Sequence, residues 1–279
     1  MNSSDHRRQR ADGRPERYGD VVFSQDRSDE AERLSAIAET YDHVSWRQIL
    51  DLNPQSGWRC LDAGAGPGTI SAWLAAEVPD SQVIAADRDV RLVGTLAASH
   101  DNLKAVQMDL SDSAALAELG KFDLVIARFV LMHHRDREEL LRDFAGSLAP
   151  GGWLVLSDSI DLTASVSPLT PYRKVMSAMW RVLRSTIGSD ITWVPTGPAL
   201  MRDQGLCNIS SEVHLPSVHH GSPVAKFWRI TWDQMSERLA ASEGIDDAVL
   251  ATAMAQLEDP AFTALSPGMI TTIGRRSVD

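Results

Sequence analysis

Leu61-Asp62-Ala63-Gly64-Ala65-Gly66-Pro67-Gly68 is the stretch whose reading decides the fold. A short apolar run ends in an acid, Gly64, Gly66 and Gly68 follow, and Thr69 opens a helical pattern. Strand, glycine turn and helix in that order describe a crevice at the carboxyl end of a strand. The glycines let the backbone turn sharply and let a ligand approach with no Cβ in the way. Glycines also serve plain turns, so the motif alone shows where a ligand could approach and not which one.

Outward from the turn, short apolar runs alternate with helical patterns. Strands are expected at residues 59–63, 82–87, 103–108, 122–129 and 153–157, with helices at 69–77, 89–99, 113–119 and 137–148. Such alternation implies parallel crossover units and a doubly wound α/β sheet. Upstream, Ser28 suits a helix N-cap, with Leu34, Ile37 and Ala38 on one face. A second short helix is expected from Val44 to Leu50, ending before Asn53-Pro54. Downstream, helices are expected at 172–185, 197–204, 225–241 and 246–257, and strands at 213–215 and 269–273. The C-terminal part therefore completes the sheet and carries an insertion between its fifth and sixth strands. The domain reading is a disordered basic tail (1–20), a helical cap (21–57) and a sheet domain (58–279) with a lid at about 160–195.

Composition narrows the partners. Lys and Arg number 27 against 38 Asp and Glu, a net charge of −11, which argues against nucleic acid because phosphate binding relies on clustered cations. The basic residues that do cluster, Arg7 to Arg17, stand among polar residues at the N-terminus, with no apolar stretch after them to make a signal peptide. The longest apolar run, Leu124 to Met132, is too short for a bilayer and contains Arg128. Cys60 and Cys207 form neither a disulfide framework nor a zinc pattern. The expected location is cytoplasmic. The expected partner is a small-molecule substrate, with no membrane, and a homodimer is compatible with the sequence.

A dinucleotide turn wants Gly-x-Gly-x-x-Gly, but counting from Gly64 the third position is Thr69. Asp62 would also sit poorly beside a pyrophosphate, whereas a sulfonium and an α-amino group tolerate a nearby carboxylate. Later motifs follow in order: Ala86-Asp87 after the second strand, Met108-Asp109-Leu110 after the third, Phe129 to His134 after the fourth, and Leu148-Ala149-Pro150-Gly151-Gly152 before the fifth. Together they resemble the motifs of class I S-adenosylmethionine-dependent methyltransferases, over roughly residues 58–160. Phe227-Trp228-Arg229 and Gly274-Arg275-Arg276 resemble, more loosely, actinobacterial natural-product members.

The resemblance implies a Rossmann-like seven-stranded sheet, mostly parallel with an antiparallel last strand, and S-adenosyl-L-methionine as cofactor. It implies contacts from Asp62, Ala63, Gly64 and Gly66, from Asp87 and Arg88 at the ribose, and from Asp109 and Leu110 at the adenine. Arg128 departs from the family's usual small residue; its guanidinium could pair with the cofactor carboxylate, Asp109 or Asp62. Methyl transfer needs mainly alignment, and His133 or His134 could serve as base, at most one facing the site. His219-His220 in a later loop is a weaker candidate. No metal site is expected, because His and acids lack ligand spacing. Met176, Met179, Trp180 and Leu183 recur at helical spacing in the insertion, and with Tyr18, Phe23, Tyr172 and Trp193 they could wall an apolar substrate. The same turn would also suit a non-methylating relative that retains the cofactor. An NAD oxidoreductase is disfavoured by Asp62, Thr69 and Asp109, and a pure protein scaffold by the intact turn.

Overall fold

The computed structural model describes residues 16–78 and 80–278; residues 1–15, most of the expected tail, lie outside it. The chain opens with helix α1 (Glu30–Leu50) and then alternates: β1 (Arg59–Ala63), α2 (Thr69–Glu77), β2 (Gln82–Asp87), α3 (Arg91–Ala97), β3 (Leu103–Gln107) and α4 (Ser113–Glu118). β4 (Phe122–Arg128) leads through a 3-10 turn, Leu131–His133, into α5 (Arg137–Gly146) and the long β5 (Leu148–Ile160). Then come α6 (Thr170–Thr186), α7 (Gly197–Asp203), β6 (Leu206–His214), β7 (Ser217–His219) and α8 (Pro223–Gln234). The last elements are α9 (Ser236–Ala240), α10 (Asp247–Glu258), β8 (Thr263–Leu265) and β9 (Gly268–Arg276).

Seven strands form one sheet in the order β3-β2-β1-β4-β5-β9-β6. The first five run parallel, and β9 lies antiparallel between β5 and β6. From β1 the chain winds one way through β2 and β3, then returns to place β4 on the other side. That reversal opens a crevice at the carboxyl ends of β1 and β4. The central strands read as apolar runs because both faces are covered: Cys60, Leu61, Leu124, Val125 and Leu154 have no exposed surface. One face packs on Leu116, Leu140 and Phe144, the other on Ile49, Leu74 and Val93. A Phe144→Ala change in such a core costs about 3–5 kcal/mol.

A separate apolar cluster joins α6, α8 and α10 to Val22 and Phe23, and forms a cap above the strand ends. It draws on two stretches: the expected one between β5 and β6, and a second one, 215–267, between β6 and β9. The second includes the β7–β8 pair, which the sequence pattern did not indicate.

Several expectations are corrected. The two N-terminal helices are one, because the polar residues between them are buried with partners. Thr40 Oγ1 donates to the Ala36 carbonyl at 2.8 Å, Tyr41 to the Pro267 carbonyl at 3.2 Å, and Asp42 pairs with Arg128 at 2.6 Å. Asp29, not Ser28, is the N-cap residue, and it makes no side-chain cap bond. The helix expected at 225–241 is divided at Met235. Residues 16–20, assigned to the tail, are packed: Glu16 is buried on Arg238 at 3.1 Å and Tyr18 lies against His133.

Candidate active site

The crevice holds a cavity of about 480 Å³. Its floor is the glycine turn and the ends of β1, β2 and β4; its roof comes from residues 17–25, α1, α6 and α8. Gly64 has φ +74, and a Cβ there would lie 2.4 Å from Val130 Cγ2, so the turn after β1 packs directly on the segment after β4. Gly66 has φ +53, and a Cβ there would meet nothing within 4 Å. The turn thus leaves an open cradle facing the cavity.

Three acids stand at the carboxyl ends of β1, β2 and β3. Asp62 is buried and its Oδ2 accepts the Ser71 hydroxyl at 2.5 Å; burial pushes it up to about 6 against the opposing Ser71 bond. Asp87 accepts the Gly66 N–H at 2.8 Å and the Asp89 N–H at 3.1 Å, and burial raises it. Asp109 accepts the Ser111 N–H at 3.0 Å and pairs with Arg17 at 2.5 Å. Burial alone would raise Asp109, but Ser111 and Arg17 outweigh it and hold the carboxyl below its usual range. Arg88 lines the cavity and donates to the Tyr18 carbonyl, with Asp20 at 3.4 Å. Leu110 lines it too, whereas Ala63 and Asp109 lie just behind the lining. Arg128 lines it, but its guanidinium is held by Asp42 at 2.6 Å, which was not among the expected partners. A helix-borne acid 86 positions upstream could not be foreseen from local spacing.

Both histidines line the cavity, contrary to the expectation of one. His133 ends the 3-10 turn and His134 follows in extended backbone, so their side chains are not forced to opposite sides. His133 Nδ1 lies 2.6 Å from Ser189 Oγ, and its ring centroid lies 4.4 Å from that of Tyr18. Burial, with the neighbouring His134, Arg33 and Arg137, pushes His133 down to about 3. His134 Nδ1 is 3.3 Å from Ser111 Oγ, and burial also lowers it, against Asp136. Beneath them, buried Asp158 accepts the Met132 N–H at 3.0 Å and anchors the turn; burial pushes this acid up to about 8.

The upper chamber is apolar and aromatic. Tyr18, Phe23, Leu34, Met179, Trp180, Leu183 and Phe227 all line it. Met176 is fully buried in the cap cluster behind that wall. Tyr172 packs on Trp232 and Phe262 away from the cavity, Trp193 lines a smaller recess by Asp158, and His219-His220 lie elsewhere, in and after β7. Phe129 and Phe23, both on the wall, hold φ of +57 and +62, strained values for aromatic residues.

Residues missed in the sequence include Arg33 and Glu30, buried in a 2.7 Å ion pair, with Arg33 also 2.5 Å from the Tyr18 hydroxyl. A signal was present: Arg33 directly precedes Leu34 on the inward stripe of α1. Gln25 was also missed. Its Nε2 donates to the Asp89 carbonyl at 3.2 Å, while its buried Oε1 has no partner among the described residues. An open glycine cradle, an orphaned acceptor and three acids suit a cationic, hydroxyl-bearing adenosyl ligand. Among the described residues, no three His, Cys, Asp or Glu side chains are grouped to hold a metal, and no helix is long and apolar enough to cross a membrane.

The sequence profile of the family described as "Methyltransferase domain" matches residues 23–207. A methyltransferase of Strobilurus tenacellus is 28% identical over 165 residues, covering 58% of this chain and 56% of that one. A trans-aconitate 2-methyltransferase of Variovorax paradoxus is 32% identical over 99 residues, covering 35% and 37%. The chain thus spans about half the length of the first relative and less of the second. The solved YcgJ protein of Bacillus subtilis superposes with a TM-score of 0.58 at 16% identity, covering 85% of this chain and 99% of that one, a likeness of fold.

Proposed function

This chain belongs to the methyltransferase-domain family, and on that premise we propose that it is an S-adenosylmethionine-dependent methyltransferase acting on oxygen, nitrogen or carbon of a small molecule. The observation that carries this reading is the cradle at Gly66, bounded by Asp62 and Asp87 and opening onto an apolar chamber. Asp62, Ala63, Gly64 and Gly66 would hold the methionine end, Asp87, Arg88 and Gln25 the ribose, and Asp109 and Leu110 the adenine. When bound, the sulfonium supplies an already activated methyl group. The chain's own task is then to align an acceptor and exclude water, and proximity of that kind is worth about 7–11 kcal/mol.

Arg128, committed to Asp42, would shape the floor near β4, and its charge also eases the ionisation of Asp62. His133 is held neutral and is a weak base, so its role would be to accept a hydrogen bond from the acceptor through Nε2 while Ser189 fixes Nδ1. His134, more open, would be the better proton sink. Tyr18, with Met179, Trp180 and Leu183 of the insertion, would close the chamber over the acceptor, while Met176 supports that wall from behind. The resemblance to natural-product enzymes supports a secondary metabolite as acceptor. Incubation with methyl-labelled S-adenosylmethionine and a panel of phenols, amines and activated methylenes tests the reading. Label transferred to an acceptor supports it, and no transfer across the panel by protein that binds the cofactor counts against it.

A further inference from the structure

Asp62 and Arg128 meet at the floor of the crevice without pairing. β1 and β4 run parallel with Asp62 in register with Ile126, and Arg128 stands two residues on, so both side chains leave the same face of the sheet. Helix α1 covers that face, where Ile49 shares a cluster with Cys60, Leu124 and Ile126. Both residues line the cavity, yet they form no ion pair with each other. Each is engaged on one side only. Asp62 Oδ2 accepts from Ser71, and Oδ1 accepts from nothing among the described residues. Arg128 Nη1 lies 2.6 Å from Asp42 on α1 and 3.4 Å from Ser45 Oγ, whereas Nε and Nη2 donate to nothing among the described residues. None of these three idle atoms belongs to the buried ones that solvent cannot reach.

The floor thus offers an accessible carboxylate oxygen and the open Nε–Nη2 edge of a guanidinium on neighbouring strands. A guanidinium carries five donors in a rigid fork, so one nitrogen can rest on Asp42 while the opposite edge takes a second carboxylate. The Asp42 contact, with both side chains largely buried, fixes that edge before a ligand arrives, which lowers the cost of ordering it on binding. An acid on β1 and a cation on β4 match a ligand end that carries an ammonium and a carboxylate on one carbon. A pyrophosphate would have nothing to give Asp62.

We propose that Arg128 is a specificity residue of the cofactor site: its open edge takes the α-carboxylate of the methionine end, Asp62 takes the α-ammonium, and Asp42 is the positioning residue that aims the guanidinium. This rests on the crevice being the S-adenosylmethionine site of the proposed methyltransferase. The test is calorimetric titration of the full chain with three ligands: S-adenosylhomocysteine, its decarboxylated analogue, which keeps the amine, and methylthioadenosine, which lacks both charges. The wild type is expected to bind S-adenosylhomocysteine at least about tenfold more tightly than the decarboxylated analogue, the loss of one charge-assisted contact. The double variant Asp42→Asn with Arg128→Met removes both charges and so strands neither. In it S-adenosylhomocysteine should lose about tenfold, while the other two ligands stay within about twofold of their wild-type affinity and so show that the variant is folded. Equal wild-type affinity for S-adenosylhomocysteine and the decarboxylated analogue would overturn the proposal, and that comparison needs no variant to fold. An equal loss for both ligands in the variant, or no loss for either, would overturn it too. In each of these cases S-adenosylhomocysteine still binds the wild type and the cofactor reading stands. No adenosyl compound bound by the wild type would remove that reading and the proposal with it.

Discussion

Arg17 Nη1 lies 2.5 Å from Asp109 Oδ2, an ion pair that ties the N-terminal segment across the carboxyl end of β3. The same segment is held by Glu16 on Arg238, by the Tyr18 carbonyl on Arg88 and by the Tyr18 ring on His133. An adenine amine assigned to Asp109 must share that carboxylate or displace Arg17. Arg17→Ala is therefore expected to raise S-adenosylhomocysteine affinity by up to about fivefold, since the pair is partly exposed and screened. Asp109→Asn should lower it. Weaker binding in Arg17→Ala would show that Arg17 touches the ligand instead of competing with it.

Held at about 3, His133 stays neutral in the folded protein. The unfolded imidazole takes up a proton below about 6.5 and the folded one does not. Its contribution to stability is therefore full above about 6.5 and is lost as the pH falls from there towards 3. His133→Phe removes the titration and keeps a ring against Tyr18. Urea midpoints at pH 5 and pH 7.5 should differ less in that variant than in the wild type; an equal difference would refute the assignment.

Asp158 carries the opposite sign. Burial lifts it to about 8, so the folded state keeps a proton that the unfolded chain releases above about 3.9, and stability falls as the pH rises from there to 8. Asp158→Asn retains an acceptor for the Met132 N–H and cannot ionise, so it should gain on the wild type between pH 5 and pH 8.5. Asp158→Ala strands that N–H at a cost of about 1–3 kcal/mol. Denaturation midpoints of the two variants distinguish a role in holding the turn from plain filling of space.

The glycine turn separates stability from binding. Gly64→Ala drives a methyl group into Val130 Cγ2 at a positive φ, and should cost about 2–4 kcal/mol. Adding Val130→Ala should recover the packing part of that loss. Gly66→Ala meets open space, so it should cost only about 1–2 kcal/mol in backbone strain. It should nonetheless weaken S-adenosylhomocysteine binding at least about tenfold, because the new methyl group fills the cradle. Equal affinity in Gly66→Ala would place the ligand elsewhere.

Sequence legibility followed the range of the interactions. β1, α2 and β2 were read to the residue because an apolar run and a glycine turn are local signals. The unbroken α1 was missed because Asp42 looks like a solvated helix position until Arg128, 86 residues on, neutralises it. Glu16 and Arg17 read as tail for the same reason: each is held by a partner distant in sequence. Met176 and Met179 share a stripe, and only the packing of α6 against the cap shows that Met176 faces inward and Met179 the cavity. Asp158 had a visible signal, an acid ending an apolar strand, but its grip on Met132 depends on how β5 and the turn after β4 meet.

Calorimetric titration with S-adenosylmethionine, S-adenosylhomocysteine and NAD decides whether the crevice at Gly66 is an S-adenosylmethionine site. Both sulfur compounds should bind saturably and one-to-one, more weakly in Gly66→Ala, with no heat from NAD. Binding of NAD with neither sulfur compound bound would contradict it.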